Sequence, residues 1–205
     1  FTWKADGGNT NDSGGTYIYM AFAGGMDSIS DYNDTGSSDS RVKASTTYGQ
    51  SIVSYEGNFT GGATVGHGLS SAPEMIIIKN RESVKDWIVY HEGIDASSPE
   101  NYRITLNATT AREDETGNGW NDTAPTSSVF SLGAGTRLNE SGKDHIAYCF
   151  HSVTGYSKFG SYTGNGIADG PEITTGFRPA FVLTKNVDAV DDWSIADSTR
   201  SPEID

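Results

Sequence analysis

The sequence predicts an all-β protein, an antiparallel β-sandwich or jelly-roll-like fold in repeat units of roughly 107–128 residues. Three observations predict it. Apolar residues alternate with polar ones in short runs, the pattern of a strand with one buried face. Turn signals such as Gly61-Gly62, Gly117-Asn118-Gly119 and Asn165-Gly166 separate those runs, and no stretch of helical period exceeds about ten residues. The chain also matches itself at fixed offsets, which marks a repeat architecture.

Taken in chain order, Asn11-Asp12-Ser13-Gly14 with Ile18 and Phe22 is matched 128 positions later by Asn139-Glu140-Ser141-Gly142 with Ile146 and Phe150. In both copies the apolar residues alternate (Ile18, Met20, Phe22; Ile146, Tyr148, Phe150), so each reads as a strand. Ser54-Tyr55 and Gly57-Asn58 return 107 positions later as Ser161-Tyr162 and Gly164-Asn165. Pro73, Lys79, Asn80, Asp86 and Trp87 return 106 positions later as Pro179, Lys185, Asn186, Asp192 and Trp193. Within that match Met75 and Ile77 become Phe181 and Leu183, one apolar face of a strand that ends on a lysine. Trp87 and Val89 become Trp193 and Ile195, whereas Ile88 and Tyr90 become Ser194 and Ala196, so the Trp face is expected to be the buried one. The core set predicted by recurrence is Met75, Ile77, Trp87, Val89, Phe150 and Trp193.

The difference between the offsets leaves about 21 extra residues, which fall at 24–44, rich in Gly, Ser, Asp and Asn, and read as a linker or loop. The predicted organisation is the end of a partial repeat (1–23), that linker (24–44), a complete repeat (45–152) and the opening part of a second (153–205). The sequence begins at Phe1 with no basic-then-apolar leader, as expected of a processed chain or an excerpt of a longer one. The partial repeats would be completed within the chain or by a neighbour, and strand exchange between neighbours would make a polymer.

Charge and composition narrow the function. With 14 Lys+Arg against 27 Asp+Glu, the net charge of −13 repels nucleic-acid phosphates and anionic lipid. The longest apolar run, Met75 to Ile78, is far shorter than the roughly 20 residues of a membrane helix. One cysteine, Cys149, permits no internal disulfide and no multi-thiolate zinc site; Ala21 stands at its repeat equivalent, which reads as a small buried hydrophobe.

Catalytic patterns are missing from the sequence. The histidines at 67, 91, 145 and 151 form no HExxH or similar pair, no GxSxG elbow is present, and no phosphate loop or GxGxxG follows a strand. The adjacent carboxylates Glu113-Asp114-Glu115 and Asp191-Asp192 read as solvated loop charge, because glycoside hydrolysis needs carboxylates facing each other across a cleft. The reading is therefore non-enzymatic, with no organic cofactor. Calcium stays open as a weak candidate at Asp31, Asn33 and Asp34, whose oxygens alternate before Gly36, although Val42 stands where the twelfth-position acid of a calcium loop would be. For a glycan, an aromatic face beside amides and a carboxylate is required, and the loop at Asn118, Trp120, Asn121 and Asp122 offers those groups. The competing reading has Trp120 folded back to cap the sandwich.

Several of these segments together resemble a repeated β domain of tail-fibre and other virion structural proteins of tailed bacteriophages from marine and other aquatic bacteria. They are Asn11 to Ala23, His67 to Arg81 leading into Asp86 to His91, Trp120 to Phe130, His145 to Phe150, Gly155 to Gly166, and the strand from Gly176. The resemblance implies a virion protein, a tail fibre or similar projection at the virion surface, helping the particle attach to its bacterial host. It implies other copies of itself and other virion proteins as partners, with host surface polysaccharide as a ligand, and it supplies no catalytic residue. A purely structural shaft or decoration module without ligand, and a bacterial extracellular filament or adhesin, are the alternatives. The stretch at 24–44 departs from the compact spacing of such domains.

Overall fold

The computed structural model describes residues 31–200. The strands are β1 (Tyr32–Asn33), β2 (Ser40–Ser45), β3 (Gln50–Glu56), β4 (Ala63–Gly66), β5 (Met75–Asn80), β6 (Ile88–His91), β7 (Tyr102–Thr105), β8 (Glu113–Asp114), β9 (Val129–Leu132), β10 (Asp144–Phe150), β11 (Phe181–Thr184) and β12 (Ser194–Asp197). A four-residue helix, α1 (Thr136–Asn139), interrupts them. Eight strands form one sheet in the order β1-β2-β3-β10-β5-β6-β7-β8, while β4 pairs with β9 and β11 with β12. Every paired strand is antiparallel. The sheet closes into no barrel, and the fold is the all-β sandwich that the alternation predicts.

The large sheet is apolar on both faces, and different elements cover each. On one face Val53, Tyr55, Ile76, Ile78, Ile88, Tyr90, Ala147 and Cys149 pack against Ala63, Val65, Phe130 and Leu132 of the β4–β9 pair, with Trp120 and Leu138 closing the ends. This is the deeper core, essentially free of solvent. On the other face Met75, Val89, Ile94 and Ile104 are buried, and Ile77, Phe150, Phe159, Val187 and Trp193 pack on them half-exposed.

Recurrence therefore led to the shallower face. Met75, Ile77, Trp87, Val89 and Phe150 belong to strands of the large sheet or their ends; Met75 and Val89 are buried, and Ile77, Trp87, Phe150 and Trp193 are half-buried. The expectation that only the Trp87 side of β6 is buried is corrected: Ile88 and Tyr90, on the opposite face, are 1% and 3% exposed because the β4–β9 pair covers them. Among the described residues no such layer covers their counterparts Ser194 and Ala196.

The linker expectation for 24–44 is also corrected where the structure describes it. Residues 31–44 hold β1 and most of β2, and β2 pairs with β3 over six residues, from Ser40 opposite Tyr55 to Ser45 opposite Gln50. The polar composition that suggested a linker suits the margin of the sheet, where β1 is the edge strand and β2, paired with both β1 and β3, keeps Arg41, Lys43 and Ala44 exposed. Gly36, between β1 and β2, bridges to Val65 at φ +101°, and a Cβ there would lie 2.6 Å from the Thr64 carbonyl oxygen. Gly is required at that approach. The strand expected at Ile18 to Phe22, and residues 24–30 of the expected linker, lie outside the described residues.

The internal repeat is visible in hydrogen bonds. In the β5–β6 hairpin Met75 faces His91 and Ile77 faces Val89; in β11–β12 Phe181 faces Asp197 and Leu183 faces Ile195, the same register 106 positions on. The Glu92 amide donates to the Glu74 carbonyl, and the Ser198 amide donates to that of Ala180. Lys79 Nζ donates to the carbonyls of Asn80 and Ser83, at 2.5 and 3.4 Å; Lys185 Nζ repeats this on Asn186 and Ala189, at 2.6 and 3.3 Å. Asn80 Oδ1 accepts from the Glu82 amide, as Asn186 Oδ1 does from Asp188. A lysine and an asparagine at the strand end therefore close the same turn in both copies, which accounts for their recurrence in the sequence.

Candidate binding surface

The loop after β8 does not present an aromatic platform. Trp120 is 1% exposed, its ring meets Tyr90 edge-on at 5.5 Å, and its indole N–H donates to the Tyr102 carbonyl at 3.1 Å. The glycan assignment to Trp120 is thereby corrected: a face buried in the deeper core cannot stack on a sugar, and the folded-back alternative describes what the ring does. Asn118 and Asp122 are exposed and Asn121 is half-buried, but they serve the loop itself. Asp122 Oδ1 accepts from the Gly117 amide at 2.7 Å, Asn118 Nδ2 donates to Thr116, and Asn121 and Asp122 sit at φ 55° and 47°, a turn that swings Trp120 inward. Buried charge fixes the base of the loop. Arg103 and Glu115, 5% and 8% exposed, are paired through Nε and Oε1, and Arg137 also reaches Glu115 Oε1 at 2.8 Å. Arg103 also pairs with Glu113 at 2.9 Å, so the two buried charges sit in a network in which each has a second partner.

The exposed aromatic group beside polar side chains is found instead at β1. Asp31, Tyr32, Asn33 and Thr35 line an open cleft of about 370 Å³, whose other wall is Val42, Leu69 and the Ser127-Ser128 turn. Tyr32 is 57% exposed; its hydroxyl hydrogen-bonds to Asp39, which together with desolvation and the nearby carboxylates of Asp39 and Asp34 raises its pKa. Hydroxyls and an amide around one exposed ring are of the kinds that sugar recognition uses, while the Asp31 carboxylate beside them is 7% exposed and paired with Lys43. Sequence reasoning missed this cleft because its walls come from segments far apart in the chain; its only local signal was the tyrosine among Asp and Asn in a stretch taken for linker.

Two of the calcium candidates line the same cleft, but their oxygens are engaged. Asp31 is 7% exposed with Lys43 Nζ at 3.6 Å, and Asn33 Oδ1 accepts from the Thr35 amide at 2.9 Å. Asp34 is exposed outside the cleft lining. Among the described residues no three His, Cys, Asp or Glu side chains gather where they could hold a metal ion.

The histidines are building material. His67, fully buried, accepts from the Leu69 amide at Nδ1 and approaches the Thr126 carbonyl at 3.0 Å through Nε2, an arrangement that fits the neutral ring protonated at Nε2. His145 stacks on Tyr55 at 5.1 Å and directs Nδ1 to the Lys143 carbonyl. Burial lowers the pKa of His67, His91 and His145 below the ordinary histidine value. Burial pushes the Cys149 thiol up to about 12, so at neutral pH it is protonated, unlike a thiolate nucleophile.

Fold and surface together define a class: an antiparallel β-sandwich that carries a second, partial copy of its own hairpin and an open polar cleft. The chain belongs to the family described as Domain of unknown function (DUF7483), whose model matches residues 27–205. No curated protein and no solved structure matches it.

Proposed function

We propose that this chain is a non-enzymatic, modular structural protein of a tailed-bacteriophage virion, part of a tail fibre or similar surface projection, which helps attach the particle to polysaccharide on the bacterial surface. The observation that carries this reading is the way the second unit seats on the first. Phe159, Val187 and Trp193, which follow the complete unit in the chain, cover its shallower apolar face. Trp193 Nε1 donates to the Thr105 carbonyl at 3.0 Å, and the Arg112 and Asp191 amides donate to Val187 and Thr109. On the second unit, the equivalent face presents Phe181 and Ile195 at 51% and 49% exposure. Each unit thus offers the next a surface of the kind it has itself covered, the logic of a chain of modules.

Serial modules suit attachment by avidity, in which many weak contacts add to a large total and no single unit needs a deep pocket. The open cleft around Tyr32 is of that kind. The reading is tested by binding of the fluorescently labelled chain to bacterial cells, with soluble surface polysaccharide as competitor. Saturable, competed binding that is lost in Tyr32→Ala is the expected result. No binding, even by an artificially multimerised chain, would overturn attachment in favour of a shaft or decoration module, a reading that the shallowness of the cleft favours.

A further inference from the structure

The shallower face of the large sheet is only partly covered. Phe159, Val187 and Trp193 pack on the cluster of Met75, Val89, Ile94 and Ile104, whereas Ile52, Ile146 and Tyr148, on the same face, are half-exposed and belong to neither buried cluster. Register carries one row of side chains across this bare part. Tyr32 faces Arg41, Arg41 faces Ser54, Ser54 faces Ile146 and Ile146 faces Lys79. Ile78 faces Ile88, which brings Lys79 level with Trp87. Residues paired directly point to the same side of a sheet, so Tyr32, beside the open cleft, and Trp87 stand at the two ends of one row. Five strand spacings separate them, or roughly 24 Å at ~4.8 Å each. Every member of the row is exposed or half-exposed.

The polar groups along this track are free. Among the described residues the Arg41 guanidinium, the Ser54 and Tyr148 hydroxyls and the Trp87 indole N–H enter no hydrogen bond or ion pair. The rings of Trp87 and Tyr148 stack at 6.4 Å with 24° between their planes, a broad aromatic surface half open to water. Trp193, the repeat equivalent of Trp87, instead donates its N–H to the Thr105 carbonyl and anchors the second unit. The turn before Trp87 is not built to dock in that way. Where the second unit presents Val187 to the first, the first carries Arg81, exposed and 3.9 Å from Asp144.

Charge on the track is the reverse of the molecule's. The chain carries −13, yet every charged side chain in this row and in the next, Lys43-Ile52-Tyr148-Ile77, is a cation. Asp31 approaches Lys43, and turn carbonyls hold Lys79, so Arg41 is the cation left for a ligand. Of the nearby carboxylates, Glu56 and Asp144 face each other one row further out, and Asp39 is engaged by the Tyr32 hydroxyl. We propose that this track binds a linear polysaccharide bearing uronate carboxylates, laid across the strands from Tyr32 to Trp87, with a carboxylate on Arg41 and a sugar ring on the Trp87–Tyr148 pair. A planar guanidinium matches a carboxylate in two parallel hydrogen bonds, and the aromatic faces and free hydroxyls suit the rings between. Carboxylates spaced along a sugar chain meet Arg41 singly, whereas the dense phosphates of nucleic acid are repelled by the net charge.

The inference rests on the attachment reading and names the class of sugar for the surface that begins at Tyr32. The whole 205-residue chain is titrated with alginate, a linear polyuronate, and with the same polymer after its carboxyl groups are reduced to neutral alcohols. The expected result is saturable binding of alginate that salt weakens, and binding of the reduced polymer weaker by roughly tenfold. In NMR spectra the Trp87 indole N–H, assigned with Trp87→Phe, is expected to shift on titration, while that of Trp193 stays in place as the internal control. Arg41→Gln, at an exposed position, is expected to keep the wild-type denaturation midpoint and to bind both polymers as weakly as the wild type binds the reduced one. No binding of alginate, equal affinity for the two polymers, an unmoved Trp87 indole, or wild-type affinity in Arg41→Gln overturns the proposal. A DNA oligonucleotide bound as tightly as alginate also overturns it, by reducing the effect to unspecific attraction of polyanions. A chain that attaches to cells through Tyr32 but ignores alginate and tolerates Arg41→Gln overturns this inference alone; one that attaches to no cells overturns the attachment reading.

Discussion

At the scale of single residues, the main lesson concerns indole rings. Trp87 and Trp193 recur and are only half-buried; Trp120 has no second copy in the sequence and is 1% exposed. A residue without a repeat copy is not thereby free for a ligand, since Trp120 lies in the deeper core, against Tyr90 of β6 and bonded to the Tyr102 carbonyl of β7. Its replacement by alanine is expected to cost about 3–5 kcal/mol, the range for a buried large aromatic. Urea denaturation measures this as a lowered midpoint with the slope unchanged. Were Trp120 instead a ligand residue on the surface, the substitution would leave the midpoint near the wild type. Asn139 teaches the complementary point. Its buried amide accepts from the Asn58 and Phe59 amides and donates to the carbonyls of Thr60 and Gly133, so one side chain ties α1 to the loop between β3 and β4. The match of Asn139 with Asn11 was legible in the sequence; the four bonds that explain it were not.

Among elements, the two hairpins show how far a repeat can be read. Register and turn chemistry are local, set by Lys79 and Asn80 in one copy and by Lys185 and Asn186 in the other, so sequence comparison found them. How deeply a strand is buried is not local. β5 and β11 share a register, yet Ile76 and Ile78 are sealed and Val182 and Thr184 are half-exposed, because only the first lies under the β4–β9 layer. The second hairpin is held mainly through its turn, with Trp193 as the anchor. In Trp193→Ala, hydrogen exchange at low protein concentration is expected to speed up across Phe181–Thr184 and Ser194–Asp197 while β5 and β10 keep their protection. Equal loss of protection in β10 would mean that the hairpin and the large sheet open as one unit.

For the whole molecule, buried histidines make stability depend on pH. The folded pKa values of His67, His91 and His145 lie below that of the unfolded chain, burial being the first cause in each; at His145 the Lys143 carbonyl and the charges of Glu140, Asp144 and Glu82 offset part of it. Between the folded value and about 6.5 the unfolded chain binds protons that the folded one does not. Their contribution is therefore fully present above about pH 6.5 and is lost as pH falls through that window, with a slope of up to about 1.4 kcal/mol per pH unit for each histidine. Denaturation midpoints measured from pH 7.5 to 5 are expected to fall, and His67→Gln is expected to flatten the fall whatever it does to the midpoint at neutral pH. An unchanged slope in that variant would mean that His67 titrates alike in both states.

The fold class, the strand alternation, the hairpin repeat and the recurring turn residues are legible in the order of residues, because each depends on neighbours a few positions apart or on a comparison of the chain with itself. Tertiary structure alone decided which face is deepest, that 31–44 completes the sheet, that Trp120 lies inside, and that an open cleft forms around Tyr32. Those outcomes depend on which distant segment covers a surface. Burial and coverage are properties of two packed layers, and the period of one strand says only that it has a face to bury, not what will bury it.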